Sequence, residues 1–278
     1  MLYGRACAAR EDKEKRMSNI LDKIQNRNSI AWKKLCDYID KVAAENRDEF
    51  SPLEELGQEL FDQIYTLPET ISKLKTVKKV WLYGSKLKFI PPEIGEMEAL
   101  EYFDPYTSYK LHWFPYEITK CKNIKDSRVS TRALYGNFKN GMKFPSLDDN
   151  PVRYFGETIN CSICGKTMSY TETNQVWISL NVGTDILPLL VNLCSQECQN
   201  KLPKPPEGYV QFPHKGGAGL KQSLSFAEHR KLRTEEYKSK IISITTEDVQ
   251  VNNEVAQESL TEKKDVPVLK LIRKIWEE

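Results

Sequence analysis

The chain has 278 residues, with 41 basic and 39 acidic side chains for a net charge of +2. The apolar fraction of 40% and charged fraction of 29% argue against wholesale disorder, and the near-balance gives no electrostatic case for nucleic acid or an anionic membrane, both of which favour concentrated basic surface. The longest apolar run, Ile186 to Val191, falls far short of the ~18 residues needed to cross a bilayer, and Met1 to Arg16 lacks the hydrophobic stretch of a signal peptide, so a cytoplasmic protein is expected.

An apolar spacing begins at Ile20 and becomes regular at Trp32, Leu35, Cys36, Ile39, Val42 and Ala43. Offsets of three and four place these on one stripe of a helix, with Cys36 read as a core thiol. A second helix is expected from Ser51, with serine as N-cap, Pro52 in the first turn and Glu54 closing a capping box. Its buried stripe would be Leu53, Leu56, Leu60, Phe61 and Ile64. Together these helices form an expected N-terminal cap over residues 1–66.

The pattern then changes. Leu67-Pro-Glu-Thr-Ile71, Ile90-Pro-Pro-Glu-Ile94 and Phe114-Pro-Tyr-Glu-Ile118 align, with Pro68, Pro91 and Pro115 standing 23 and 24 residues apart. The same register relates Leu74, Met97 and Cys121, and again Val77, Leu100 and Ile124. Four apolar columns on one period constitute a repeat. Period and columns resemble the leucine-rich repeat family, in its bacterial-looking form with Leu-Pro-x-x-Ile opening each convex segment; the fullest match runs from Val77 to Pro91. The resemblance implies a short α/β solenoid over residues 67–147, in which stacked units share a core that none could bury alone. Cys121 would then fill a leucine column. Pro105 stands where an inward strand residue belongs, Ser85, Ser108 and Arg132 replace the usual turn asparagine, and residues 128–137 fit poorly.

If Val80, Leu82, Phe103 and Pro105 point inward, their neighbours face the concave side. Trp81, Tyr83, Tyr102, Asp104, Tyr106 and Arg128 are the candidate partner-binding residues, an aromatic and charged composition typical of binding hot spots.

Seven cysteines suit a reducing compartment, because their number is odd and four fall in two tight pairs. Cys161-Ser-Ile-Cys164-Gly is followed after 29 residues by Cys194-Ser-Gln-Glu-Cys198. Two residues between cysteines let one turn present two thiolates to one ion, and Gly165 suits the positive φ of such a knuckle. Ser195 would cap a helix to Leu202 that carries Cys198, while Val176–Val182 and Leu189–Leu193 read as paired strands. Knuckle, hairpin and helix are similar to the TRASH and MYM-type treble-clef knuckles. The expectation is one structural Zn2+ per chain on Cys161, Cys164, Cys194 and Cys198, in a module spanning 148–218. Two local disulfides, a redox Cys-x-x-Cys and an iron–sulfur cluster are the competing readings.

His112, His214 and His229 stand in no catalytic pattern. Phe212-Pro-His-Lys-Gly-Gly217 reads as a surface turn, or alternatively as an anion-binding loop of backbone N–H groups. Residues 219–278 are charged, with a solvated helix at 223–239, a flexible stretch at 247–264 and an amphipathic end from Val266 to Trp276. The functional expectation is a non-catalytic interaction scaffold with a protein partner. The alternatives are a zinc-dependent nucleic-acid-binding protein, or an effector-type enzyme whose chemistry lies outside the repeats.

Overall fold

In the computed structural model of the chain, residues 25–137, 142–222, 228 and 230–238 are described. Cys7, the spacing at Ile20, His229 and the expected features at 247–264 and 266–276 lie outside them. The chain divides into two units, Met1–Ala227 and Glu228–Glu278. The second shows helix at 230–238.

Ser29 opens α1 (Ile30–Ala44), its hydroxyl accepting from the Trp32 N–H at 3.2 Å. The helix buries Trp32, Leu35, Ile39 and Val42, and Cys36 at the flank of this stripe is only half-buried. A two-residue strand β1 (Glu49–Phe50) follows. The expected single helix from Ser51 forms as two short ones, α2 (Pro52–Leu56) and α3 (Gln58–Phe61). Gly57 separates them at φ 74°, ψ 161°, a conformation open to glycine and incompatible with a continuing helix. The capping box is absent. Ser51 makes no side-chain cap bond, and its N–H donates instead to the Tyr38 hydroxyl at 3.1 Å.

Pro68, Pro91 and Pro115 each hold extended backbone and lead into 3₁₀ turns at Glu69–Lys73, Pro92–Glu96 and Tyr116–Lys120. The turns stack closely: a Cβ at Gly95 would meet the Glu117 carbonyl. Between the turns lie β2 (Lys79–Trp81) and β3 (Tyr102–Asp104), then β4 (Phe114–Pro115) and β5 (Asp126–Ser127). β1, β2, β3 and β5 form a parallel sheet in that order, with Lys79, Tyr102 and Asp126 in register. The apolar columns are buried from Leu67 to Cys121, while Ile124 is half-buried.

The expectation of a leucine-rich repeat solenoid with a separate helical cap is not met. Among the described residues the content is mixed α/β, in three small sheets. Two physical facts set the difference. β1, which comes from the expected cap, is itself a member of the four-stranded sheet, and β4 leaves that sheet altogether to pair with a strand of the cysteine-bearing segment.

That segment holds a short antiparallel pair, β6 (Thr158–Asn160) and β7 (Thr167–Ser169), and a long one, β8 (Asn174–Val182) and β9 (Asp185–Leu193). The first of the long strands buries Trp177 completely, amid Trp113, Tyr135 and Phe144 with ring centroids 5.7–5.8 Å away. Its indole N–H donates to the Pro145 carbonyl, so the one polar atom of the largest core side chain is satisfied. The hairpin tip closes the β5 edge of the parallel sheet. Ser127 donates to Val182 O at 3.0 Å, and Thr184 N–H returns a bond to the Ser127 hydroxyl at 3.2 Å. Gly183 is at φ +59°, and a Cβ there would sit 2.8 Å from Ile124. Gly183→Ala should therefore cost about 2–5 kcal/mol, combining left-handed strain and overpacking. Gly208 (φ +82°) has open space for a Cβ, so Gly208→Ala should cost no more than about 1–2 kcal/mol, the strain alone. Denaturant unfolding of the two variants checks the order.

Candidate metal centre and exposed sheet face

Cys161 follows β6 directly and Cys164 lies in the turn before β7. The Cys161 carbonyl accepts from Gly165 N–H at 2.9 Å, with Gly165 at φ +75°, and Cys161 N–H donates to Lys166 O at 2.8 Å. This knuckle is fixed to β9 through Ser162, whose N–H donates to Asn192 O and whose hydroxyl accepts from Asn192 N–H. Cys194 immediately follows β9. Ser195 then caps α4 (Gln196–Asn200), accepting from Cys198 N–H at 3.3 Å.

These local devices bring together the sulfurs of two cysteine pairs that lie thirty or more residues apart in sequence. All lie within 4.8 Å of one another, with Cys164 and Cys194 at 3.5 Å and Cys194 and Cys198 at 3.6 Å. A disulfide would require ~2.05 Å, and all four thiols are free. Cys161 and Cys198 are buried while Cys164 is exposed. Burial works to raise the Cys161 thiol, yet the N–H groups of Cys164, Ile163 and Cys194 outweigh it and bring it down to about 7. The Ser195 hydroxyl pulls Cys198 down, but burial and the neighbouring thiols push it up to about 12. Cys194, beside Cys164, is raised as well. Thiols packed this closely hold protons between them, and a cation at the centre would favour their thiolate forms instead. The four cysteines could hold a metal ion.

On the parallel sheet, Val80, Leu82, Phe103 and Pro105 are buried, and the alternate residues occupy the other face. Tyr83 and Tyr106 are exposed, with ring centroids 6.2 Å apart. Trp81 and Tyr102 are half-buried because they pack on each other at 4.8 Å, and the Trp81 indole N–H is held by Glu49 at 3.1 Å. Asp104 is buried rather than exposed: Tyr102 Oη donates to its Oδ2 at 3.2 Å, and the Arg128 guanidinium lies 3.3 Å away. Arg128 itself is exposed and stands over the Tyr106 ring. The six predicted residues thus form one connected array. Glu49 joins it across β1, a strand of two residues that periodicity could not register.

The Phe212–Gly217 segment lies along β8. His214 and Trp177 exchange backbone hydrogen bonds of 2.8 and 3.0 Å, Gly216 N–H donates to His214 Nδ1, and Gly217 N–H to Phe144 O. Those N–H groups are committed within the protein, which removes the basis for an anion loop. Burial lowers His214 to about 4 and keeps it neutral. Burial also lowers His112, whose Nδ1 lies 2.6 Å from Ala133 O.

Sequence reading passed over a second polar group. Glu93 and Glu117 share a repeat column with Thr70, and both carboxyls are raised by burial. The signal was a polar column, Thr70, Glu93 and Glu117, directly before the buried isoleucines Ile71, Ile94 and Ile118.

Compared with known proteins, the chain matches no family model and no curated protein. Among the described residues, no helix is long and apolar enough to cross a membrane.

Two measurements check the thiols. Stripping metal with a strong chelator should raise amide exchange in residues 158–169 and 193–202 while β2 and β3 stay protected. Cys121 is buried, its Sγ donates to Ile94 O at 3.1 Å, and burial pushes it up to about 12. Native-state alkylation at pH 8 should therefore label Cys36 well before Cys121, and equal rates would show that the Cys121 column is open to solvent.

Proposed function

We propose that this protein is a non-catalytic interaction scaffold, stabilised by one structural zinc and engaging a protein partner through the exposed face of the parallel sheet. Zinc is favoured among metals by the donor set. Four thiolates suit a borderline-soft ion of tetrahedral preference, whose ligand sulfurs, at a bond length of ~2.3 Å, stand about 3.8 Å apart. The S···S distances of 3.5 and 3.6 Å are close to that edge. With every coordination position taken by the protein, such an ion has no place for a substrate, so its contribution is to the fold.

The observation that carries the binding reading is the array on the sheet face. Tyr83 and Tyr106 present half their surface to solvent, and Arg128 is held in position by buried Asp104 and by the Tyr102 hydroxyl. Aromatic rings with few rotatable bonds and a pre-positioned guanidinium recur as interface anchors. The charges of this face are largely paired internally, Lys79 with Glu49 and Arg128 with Asp104. This favours a partner recognised through ring contact and hydrogen bonding over a polyanion.

Tyr83 and Tyr106 are the residues on which to test this, since they are exposed whereas Trp81 and Tyr102 are half-buried. A Tyr83→Ala/Tyr106→Ala double variant should keep the wild-type melting temperature within about 2 °C and weaken the captured partner by about 2 kcal/mol or more. Pull-down from native lysate identifies the partner, and calorimetry on the purified pair measures the loss. Unchanged affinity would remove the sheet face from the account.

A further inference from the structure

A cavity of about 210 Å³ opens beside the knuckle, between the 3₁₀ turns at Pro92–Glu96 and Tyr116–Lys120 and the segment Tyr154–Cys161. At about 30 Å³ per water it holds several, more than a bare ion would fill. Glu93, Glu117 and Tyr154 stand on its wall. Each has an oxygen without a hydrogen-bond partner: Oε2 of both glutamates and the Tyr154 hydroxyl. Glu117 and Tyr154 are more than nine-tenths buried. Orphaned buried oxygens of this kind cost about 1–3 kcal/mol each, and their meeting at one cavity calls for a common donor. Two further carboxylates on the wall are already engaged, Glu96 by Lys75 and Glu69 by Arg27.

Arg27 displays the chemistry that this wall accepts. Its guanidinium makes two hydrogen bonds to Glu69 and lies 3.7 Å from the centre of the Phe155 ring, both of them wall residues. Deeper in, Glu93, Glu117 and Tyr154 repeat that combination of carboxylate and aromatic ring, and among the described residues no cation is hydrogen-bonded to their free oxygens. Lys120 opposes a bound cation, but it is exposed and its field is screened by water.

We infer that this cavity binds an organic cation bearing several N–H donors, a guanidinium or primary ammonium group, with Glu93 and Glu117 as counter-charges and the Tyr154 hydroxyl as a further hydrogen-bond partner. A hard divalent metal fits less well. It would want six or more oxygens at 2.0–2.6 Å, whereas the free oxygens are three and the neighbouring walls include Pro92, Phe155 and Ile159. The site is independent of the sheet face.

Calorimetric titration of the full chain with agmatine, with acetyl-Gly-Arg-Gly-amide and with calcium chloride tests it. Saturable one-to-one binding of a guanidinium probe is expected, weakened at least tenfold in Glu117→Gln and in Glu93→Gln and unchanged in Tyr83→Ala. Binding of agmatine points to a free small cation, and binding of the peptide alone to a basic side chain of a protein segment. Should either glutamine variant melt early, Tyr154→Phe, which deletes only the hydroxyl, decides by a loss of severalfold. No binding of either probe, binding unaltered by all three cavity variants, or preference for calcium would overturn the inference.

Discussion

β8 and β9 run antiparallel over nine paired positions, from Asn174 opposite Leu193 to Val182 opposite Asp185, and the parallel sheet, β4 and the cysteine knuckle are all fastened to this ladder. Its tip closes the open edge of the parallel sheet through Ser127. Its flank takes β4 as a third strand. Its far end places Cys194 beside the knuckle, and Asn192, two residues earlier, is bonded to Ser162 there. Because one rigid hairpin carries both connections, the parallel sheet and the four-cysteine centre are not independent bodies. Trp177 at its middle, fully buried among aromatic rings, resists any slip, since a shift of one residue would turn that ring to the opposite face.

The arrangement explains how a parallel sheet of such short strands is held together. Strands of two or three residues bury little by themselves, and a four-stranded parallel sheet exposes two edges. One edge strand here is β1, packed under Tyr38 through the Ser51 bond, and the other is covered by the hairpin tip. A metal at the cysteines would add a cross-link between the knuckle and the end of β9, where the hairpin would otherwise fray. The sheet face can then carry exposed tyrosines and a pre-positioned arginine, because both edges of the sheet are secured by other elements.

What was legible in the sequence was local. The two cysteine pairs, Gly165 and the Ser195 cap act within five residues, so spacing alone revealed them. The columns of the 23-residue period are buried from Leu67 to Cys121, but the 3₁₀ turns after Pro68, Pro91 and Pro115 were not foreseen. The period did not reveal the architecture, because the pairing of β4 with β9 joins Phe114 to Leu189 and no local pattern encodes that register. Ser51, Pro52 and Glu54 had the right types for a capping box, but Gly57 took a conformation that ended the helix a turn later. Asp104 was read as exposed from strand alternation. Alternation gives the face of a residue, whereas burial also depends on what folds over it, here Tyr102 and Arg128.

The central claim is that four thiolates from two distant segments close around one zinc and thereby fix the hairpin. X-ray absorption at the zinc edge, on protein purified without added metal, tests this most directly. The account predicts one zinc per chain with four sulfur neighbours at ~2.3 Å and no nitrogen or oxygen in the first sphere. A folded protein without metal, or a first sphere of mixed sulfur and oxygen, would contradict it.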